Sequence, residues 1–221
     1  MQGSGKTTGC VLRDRAYAGL ITPTKLTDKS RWGNDGVYTA ITDVQLPSGL
    51  WVRQGDGSTS ITTIPLTSSL TFNRAITIAA WINTTVDQAC GTIGTWAAAG
   101  GNRRNGYKLY QEATPRFAVG ITLNYQDRIV LAATPAVGTW YHLVGRHDGT
   151  NLHLYLNGEV GATPVAGTQN PWNAPSGEFY ADRGYDGYHN GYTALCKIWN
   201  YALTPAQIRV IYQSEKHWFG G

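Results

Sequence analysis

Between Trp140 and Asn157 the chain alternates with a period of two: Leu152, Leu154 and Leu156 are separated by His153, Tyr155 and Asn157. Helical geometry scatters such leucines around the axis, whereas a strand places all three on one side. Asp148-Gly149-Thr150-Asn151, just before them, is turn chemistry, because Asp, Asn and Gly tolerate the backbone angles a tight reversal needs. Closing a hairpin there pairs His147 with Leu152 and Leu143 with Leu156. Leu143 and the three leucines then share one face, which is expected to be core. Trp140, His142, Val144, Arg146, His153 and Tyr155 share the other face, and the alternation does not say what covers it.

The rest of the chain repeats the theme. Asn34-Asp35-Gly36, Gly55-Asp56-Gly57, Asn105-Gly106, Asn157-Gly158 and Asp186-Gly187 mark further turns between short β segments such as Ile76–Ile82, Arg116–Ile121 and Arg128–Leu131. With 27 Gly, 8 Trp, 13 Tyr and only 14% charged residues, the composition is that of a turn-rich, aromatic β protein, not of a coiled coil or a disordered tail. At 221 residues such a chain fits one sandwich. The expected fold is an all-β sandwich or jelly roll of two antiparallel sheets with one short C-terminal helix. That helix is announced by Thr204-Pro205-Ala206-Gln207, a capping box with proline at the first helical position, followed by an apolar stripe at Ile208, Ile211 and Tyr212.

Several function classes fall away. The net charge is only +4 and the basic residues are scattered, which argues against a nucleic-acid partner. No run of apolar residues is long enough for a membrane helix, and Met1 to Arg15 has no apolar core of a secretory leader. Gly3-Ser4-Gly5-Lys6-Thr7-Thr8 imitates the end of a phosphate-binding loop, but no strand precedes it and no βαβ pattern follows, so nucleotide binding is rejected. The three cysteines, Cys10, Cys90 and Cys196, are read as free thiols, with a Cys90–Cys196 bridge as the alternative.

The segments also match a family pattern. Trp140 to Gly158 resembles the W-x-H-[LV]-x-x-x-x-D-G-x-x-L-x-L-Y-[LV]-N-G hairpin of laminin-G-like, concanavalin A-like jelly rolls. Gly57-Ser58 to Ile64-Pro65, Ile76 to Ile82, and Gly191 to Tyr212 resemble further strands and the closing helix of that family in the expected order. Asp28-Lys29-Ser30-Arg31-Trp32-Gly33-Asn34-Asp35-Gly36 is similar to its opening D-x-S-G-x-G-N-D-G loop. The resemblance implies a non-catalytic binding or adhesion module, often for glycans or proteins and sometimes with calcium. Thr193-Ala194-Leu195 departs from the pattern, which commonly has an acidic residue before the last strand.

Catalytic signals are sparse. Four Glu (Glu112, Glu159, Glu178, Glu215) are dispersed, without the paired spacing a glycosidase needs. His142, Arg146, His153 and Tyr155 form the set a polysaccharide lyase would use; the alternative is that His142, with Trp140, is a packed consensus residue of the family it resembles. The five histidines lack metal-ligand spacing. Asp35, Asp56, Asp182 and Asp186 are the loop acids best placed for calcium, but they lack any EF-hand order and turn formation is the more common explanation; calcium stays open with no ligand assigned.

The segment 180–192 holds Tyr180, Tyr185, Tyr188 and Tyr192 among Gly, Asp and His, and reads as a loop. Tyrosine suits sugar faces and protein partners alike. The candidate ligand-binding residues are Tyr185, Asp186, Tyr188, His189, Asp182 and Arg183, with Tyr155, His153 and Arg146 of the hairpin beside them; the alternative is that one or two tyrosines anchor the loop to the core. The expected organisation is an extended arm at 1–25, a jelly roll at 26–213 and a tail at 214–221. The expected ligand is a glycan or cell-surface polysaccharide. Arm and tail, including Trp218-Phe219, are expected to dock on protein neighbours in a homo-oligomer or capsid-associated assembly, as in a decoration or tail-fibre protein of a virus or phage particle. The rival readings are a free-standing lectin module, secreted or at a cell surface, and a polysaccharide lyase or hydrolase.

Overall fold

The computed structural model describes residues 10–13, 17–18, 24–72, 75–96, 106–112, 116–123, 126–132, 135–167, 178–184 and 187–221. We number the longer strands in chain order: β1 Cys10–Arg13, β2 Gly36–Thr39, β3 Leu50–Asp56, β4 Ile61–Pro65, β5 Ile76–Thr84, β6 Cys90–Trp96 and β7 Tyr107–Gln111. They continue as β8 Phe117–Leu123, β9 Gln126–Leu131, β10 Trp140–His147, β11 Asn151–Leu156, β12 Glu178–Ala181 and β13 Asn190–Trp199, and the helix α1 spans Pro205–Glu215. Two antiparallel sheets result. The first runs β11-β10-β5-β13-β3, with β1 also paired to β13; the second runs β9-β8-β7-β6-β12-β4-β2, and further strands, including Thr42–Gln45 beside β3, extend the sheets.

The hairpin forms in the register read from sequence, Leu143 opposite Leu156 and His147 opposite Leu152. Its turn is held by Asp148, whose Oδ1 accepts from the backbone N–H of Thr150 and Asn151 at 2.9 and 2.8 Å. Leu143, Leu152 and Leu154 are fully buried between the sheets with Ile78, Ile82, Ile64, Leu109, Phe117 and Val119. Gly145 lies on the same face, and a Cβ there would collide with the Val119 side chain of the facing sheet. The two sheets are therefore in close contact where β10 faces β8.

The hairpin's other face is covered by the C-terminal segment. α1 begins with the expected capping box: Thr204 Oγ1 accepts from Gln207 N–H, and Gln207 Oε1 accepts from Thr204 N–H. Ile208 seals Tyr155, Val144, Trp199 and Leu203 beneath the helix. The segment expected to be a tail docking on neighbours folds onto its own sheet. Ser214 and Glu215 finish α1, and a 3₁₀ turn, Lys216–Phe219, follows. Phe219 stacks on Trp81 at 4.1 Å and meets Trp140 at 4.6 Å. Glu215 accepts from Trp81 Nε1 at 2.9 Å and pairs with Lys197. Burying aromatic surface drives this closure, and the carboxylate satisfies the indole N–H that burial strands.

The arm needs correction as well. Cys10–Arg13 is a strand on β13, with Leu12 in the core, and Tyr17–Ala18 pairs with Trp51 and Leu50. Cys10 and Leu12 are buried where this piece pairs with β13. Residues 1–9 lie outside the described part. All three cysteines are free and buried, so Cys90 and Cys196 are not bridged.

Candidate binding site at the Arg183–Tyr188 ribbon

The tyrosine-rich segment is mostly strand rather than loop. Tyr180 lies in β12, Tyr192 belongs to β13, and between them Arg183–Gly184 pairs with Gly187–Tyr188 as a two-residue ribbon. Arg183 and Tyr188 sit directly across from each other, and the residues on either side, Asp182 and His189, turn inward. The backbone closes the ends: His189 N–H donates to Asp182 C=O at 2.9 Å, and Asp182 N–H to Thr92 C=O at 2.7 Å.

Beneath the ribbon lies a buried ion pair. Asp182 Oδ2 accepts from Arg53 Nε at 3.1 Å and from Thr62 Oγ1 at 2.9 Å. Arg53 also donates to Cys196 Sγ at 3.0 Å. These four residues come from β3, β4, β13 and the end of β12, so the charges tie both sheets to the ribbon. Asp182 Oδ1 has no hydrogen-bond partner among the described residues. Asp182 holds φ +69, a conformation that costs a non-glycine residue energy and persists where the surroundings over-determine it. His189 contacts Cys90 Sγ through Nδ1 at 3.4 Å; burial pushes its pKa down, and the neighbouring Asp182 charge only partly opposes that.

Above this base, the Arg183 guanidinium lies 4.8 Å from the Tyr188 ring centroid and 5.8 Å from that of Tyr180. All three side chains are half-buried. Gln88 Nε2 donates to Tyr188 C=O at 3.2 Å, and Thr85 Oγ1 donates to Asn190 Oδ1 at 2.7 Å, so the 85–89 loop braces the ribbon. Gly57 N–H donates to His189 C=O at 3.2 Å, which brings in the turn after β3. In that turn the Thr59 hydroxyl and backbone, with the backbone of Ser58, hold the Asp56 carboxyl far below its ordinary range.

The candidate residues therefore separate. Arg183 and Tyr188 come together at the rim. Asp182 and His189 do not: they are interior supports, because the strand alternation that turns Arg183 and Tyr188 outward turns them inward. Tyr185 and Asp186 lie outside the described residues. Arg146 and His153 meet at Asp148 Oδ2, at 3.2 and 2.8 Å, on the hairpin away from the ribbon. Burial raises the Asp148 carboxyl, but the N–H groups of Asn151 and Thr150 and the His153 ring outweigh it and hold the group well below the usual range. Tyr155 is sealed under α1. His142 is buried between Trp81 and Tyr212, its Nδ1 without a hydrogen-bond partner among the described residues, and burial with the Lys197 charge pushes its pKa to about 3. The lyase set is thus split between a covered pair and a half-exposed one. Arg53 was missed; its only signal was one cation inside the apolar strand Leu50-Trp51-Val52. Within Thr193-Ala194-Leu195, the stretch that departs from the family pattern, Leu195 takes φ +49 at a register shift and packs beneath the C-terminal segment.

For a cation the fit is poor. Among the described residues no group of three or more His, Cys, Asp or Glu side chains converges. Asp35 is occupied by Lys25 Nζ and by Asp28 N–H, and Asp56 by its own turn.

Two antiparallel sheets packed face to face, with one C-terminal helix laid on the first, define a jelly-roll module of the lectin type. The chain belongs to the concanavalin A-like lectin/glucanases superfamily, whose family model matches residues 55–209. No curated protein sequence matches it. Among solved structures, the binding domain of Paraclostridial Mosquitocidal Protein 1 is similar with a TM-score of 0.74 at 12% identity, over 95% of this chain and 53% of that one. The botulinum neurotoxin serotype G binding domain gives 0.69 at 12%, over 94% and 51%. Domain 4 of AbnA, a GH43 extracellular arabinanase from Geobacillus stearothermophilus in complex with arabinotriose, gives 0.64 at 16%, over 85% and 92%. The chain spans about half the length of the two toxin domains. At these identities the likeness establishes the fold alone.

Proposed function

We propose that this chain is a non-enzymatic glycan-binding module whose ligand seats against the Arg183–Tyr188 ribbon. The observation that carries the reading is the Arg183 guanidinium stacked on Tyr188 and Tyr180 above a locked base. A sugar ring laid on a tyrosine face buries its C–H groups, and the guanidinium, which can only donate, bonds hydroxyl oxygens. A rim held rigid from below spends little ordering entropy on binding. The names of the similar solved domains, two toxin binding domains and a domain with bound arabinotriose, support a binding role over a catalytic one.

Chemistry is disfavoured by what the carboxylates and imidazoles already do. Glycoside hydrolysis uses two carboxyl groups flanking one bond, whereas Asp56, Asp148 and Asp182 are occupied by their turns or by Arg53, and Glu215 by Trp81 and Lys197. Display on a virus or phage particle is part of the same proposal; its test is co-sedimentation with assembled particles.

The deciding experiment is a glycan array probed with the wild type, Tyr188→Ala and Arg183→Ala, with calcium and with chelator. We expect selective binding by the wild type and loss in both variants at unchanged melting temperature. A silent array, or full binding by Tyr188→Ala, overturns the reading. Release of product from any bound polysaccharide overturns its non-enzymatic part.

A further inference from the structure

A second surface lies at the opposite end of the sandwich. β4 runs from Ile61 to Pro65; Ala181 pairs with Thr62, so the ribbon after it lies at the Ile61 end. Val37 pairs with Thr63 and Thr39 with Ile61, so the loop 28–35 preceding β2 lies at the Pro65 end. Four residues of strand rise, about 13 Å, separate the two ends at the least.

That loop is built around a buried carboxylate. Asp28 Oδ2 accepts from Asn34 N–H at 2.7 Å and Ser30 Oγ at 2.6 Å, and Oδ1 from Arg13 N–H at 2.9 Å and Ser30 N–H at 2.7 Å. Asn34 Nδ2 donates to Ser69 Oγ at 3.0 Å, fixing the loop to its neighbour. On this braced loop Trp32 stands 44% exposed, with the Arg31 guanidinium 4.7 Å from its ring centroid. The family pattern has glycine where this chain has Arg31. Lys29 and Arg31 are exposed, Arg13 is half-exposed and donates to Lys29 C=O at 3.2 Å, and none of the three pairs with a carboxylate among the described residues. Lys25 is beside them, paired with Asp35.

An exposed indole that carries its own ordered cation and sits among further cations, with Lys29 in electrostatic reach of Asp35, is a recognition surface with a defined chemistry. We infer that the Arg31–Trp32 loop is a second carbohydrate site, selective for acidic polysaccharides. A pyranose face packs on the indole, and the sugar's carboxylate or sulfate is met by Arg31, in-plane N–H donors against oxyanion, with Lys29 and Arg13 adding charge. A membrane surface suits this loop less, because among the described residues the indole is the loop's one large apolar group. The inference rests on the reading of the chain as a glycan-binding module and deepens it by naming a ligand class.

The test measures binding of the full chain to immobilised alginate, dextran sulfate and neutral dextran, and to phosphatidylcholine vesicles with and without phosphatidylserine, at near-physiological salt. Variants are Trp32→Ala, which leaves net charge unchanged, Arg31→Gln, and Tyr188→Ala as the control at the other end. We expect alginate or dextran sulfate to bind and dextran not to, with affinity falling about tenfold or more in Trp32→Ala and in Arg31→Gln. Tyr188→Ala should leave that binding intact. Equal polyanion binding by Trp32→Ala reduces the effect to diffuse ion exchange and overturns the proposal, as does binding to anionic vesicles alone or to none of the probes. If Tyr188→Ala abolishes array binding while the polyanion result fails, only the second site falls. If the array is silent while Trp32 governs polyanion binding, only the first does.

Discussion

Arg53 Nε and Asp182 Oδ2 meet 3.1 Å apart inside the sandwich, 3% and 0% exposed. A buried charge is costly unless paired, so removing one partner leaves the other stranded. Arg53→Met should cost about 3–5 kcal/mol of unfolding free energy, and Asp182→Asn, which keeps the shape, should still lose most of that. Denaturant melts of both and of the double replacement measure it. A double variant as unstable as the sum of the singles would mean the pair does not act as a unit.

Acid should destabilise the fold through His142 and His189. In the folded chain His142 protonates only near pH 3, and burial lowers His189 too, while an unfolded histidine takes its proton near pH 6.5. Stability is therefore complete above about pH 6.5 and declines as pH falls from there toward 3, because only the unfolded state binds the proton. His142→Phe should keep the stacking with Trp81 and Tyr212 and flatten that decline. Melting temperatures between pH 4 and 8 would show it, and an unchanged slope would remove His142 from the account.

Phe219→Ala should uncover Trp81 and Trp140 without dissolving the sandwich. The half-buried ring contributes less than a fully buried one, so about 1–2 kcal/mol is expected. Tryptophan emission should shift to the red in native buffer. A shift absent while stability falls would mean that α1 re-seats over the gap.

Gly145→Ala tests where the sheets touch. The added methyl has to displace Val119, an overpacking cost of about 1–3 kcal/mol. Val119→Ala in the same chain should recover part of that loss in thermal melts, and no recovery would place the strain elsewhere.

The hairpin and the helix were legible because their signals are local: the leucine alternation specifies a face and a register, and Thr204 with Gln207 caps its own helix. The cover over Trp140, His142 and Tyr155 was not legible, since it comes from residues remote in sequence whose contact only the closed fold creates. Asp182 and His189 looked like rim residues for a different reason. Periodicity is read from apolar side chains, and here the inward positions are polar, contacted by Arg53, Thr62 and Cys90. Arg53 escaped notice for the same cause. The 180–192 segment was identified as the interesting one; its in-and-out assignment needed the partner strands.

The pairing of β1 with β13 also sets a timetable. β13 lies between β5 and β3, so a chain synthesised only through β12 has the first sheet in two pieces, each with an unpaired edge, and nothing for Cys10–Arg13 to join. Contacts this distant in sequence form slowly, and open edges invite neighbouring chains. Soluble yield should therefore depend on chaperone supply and expression rate more than on equilibrium stability, and crowding nascent chains on one messenger should favour aggregates built from those waiting edges.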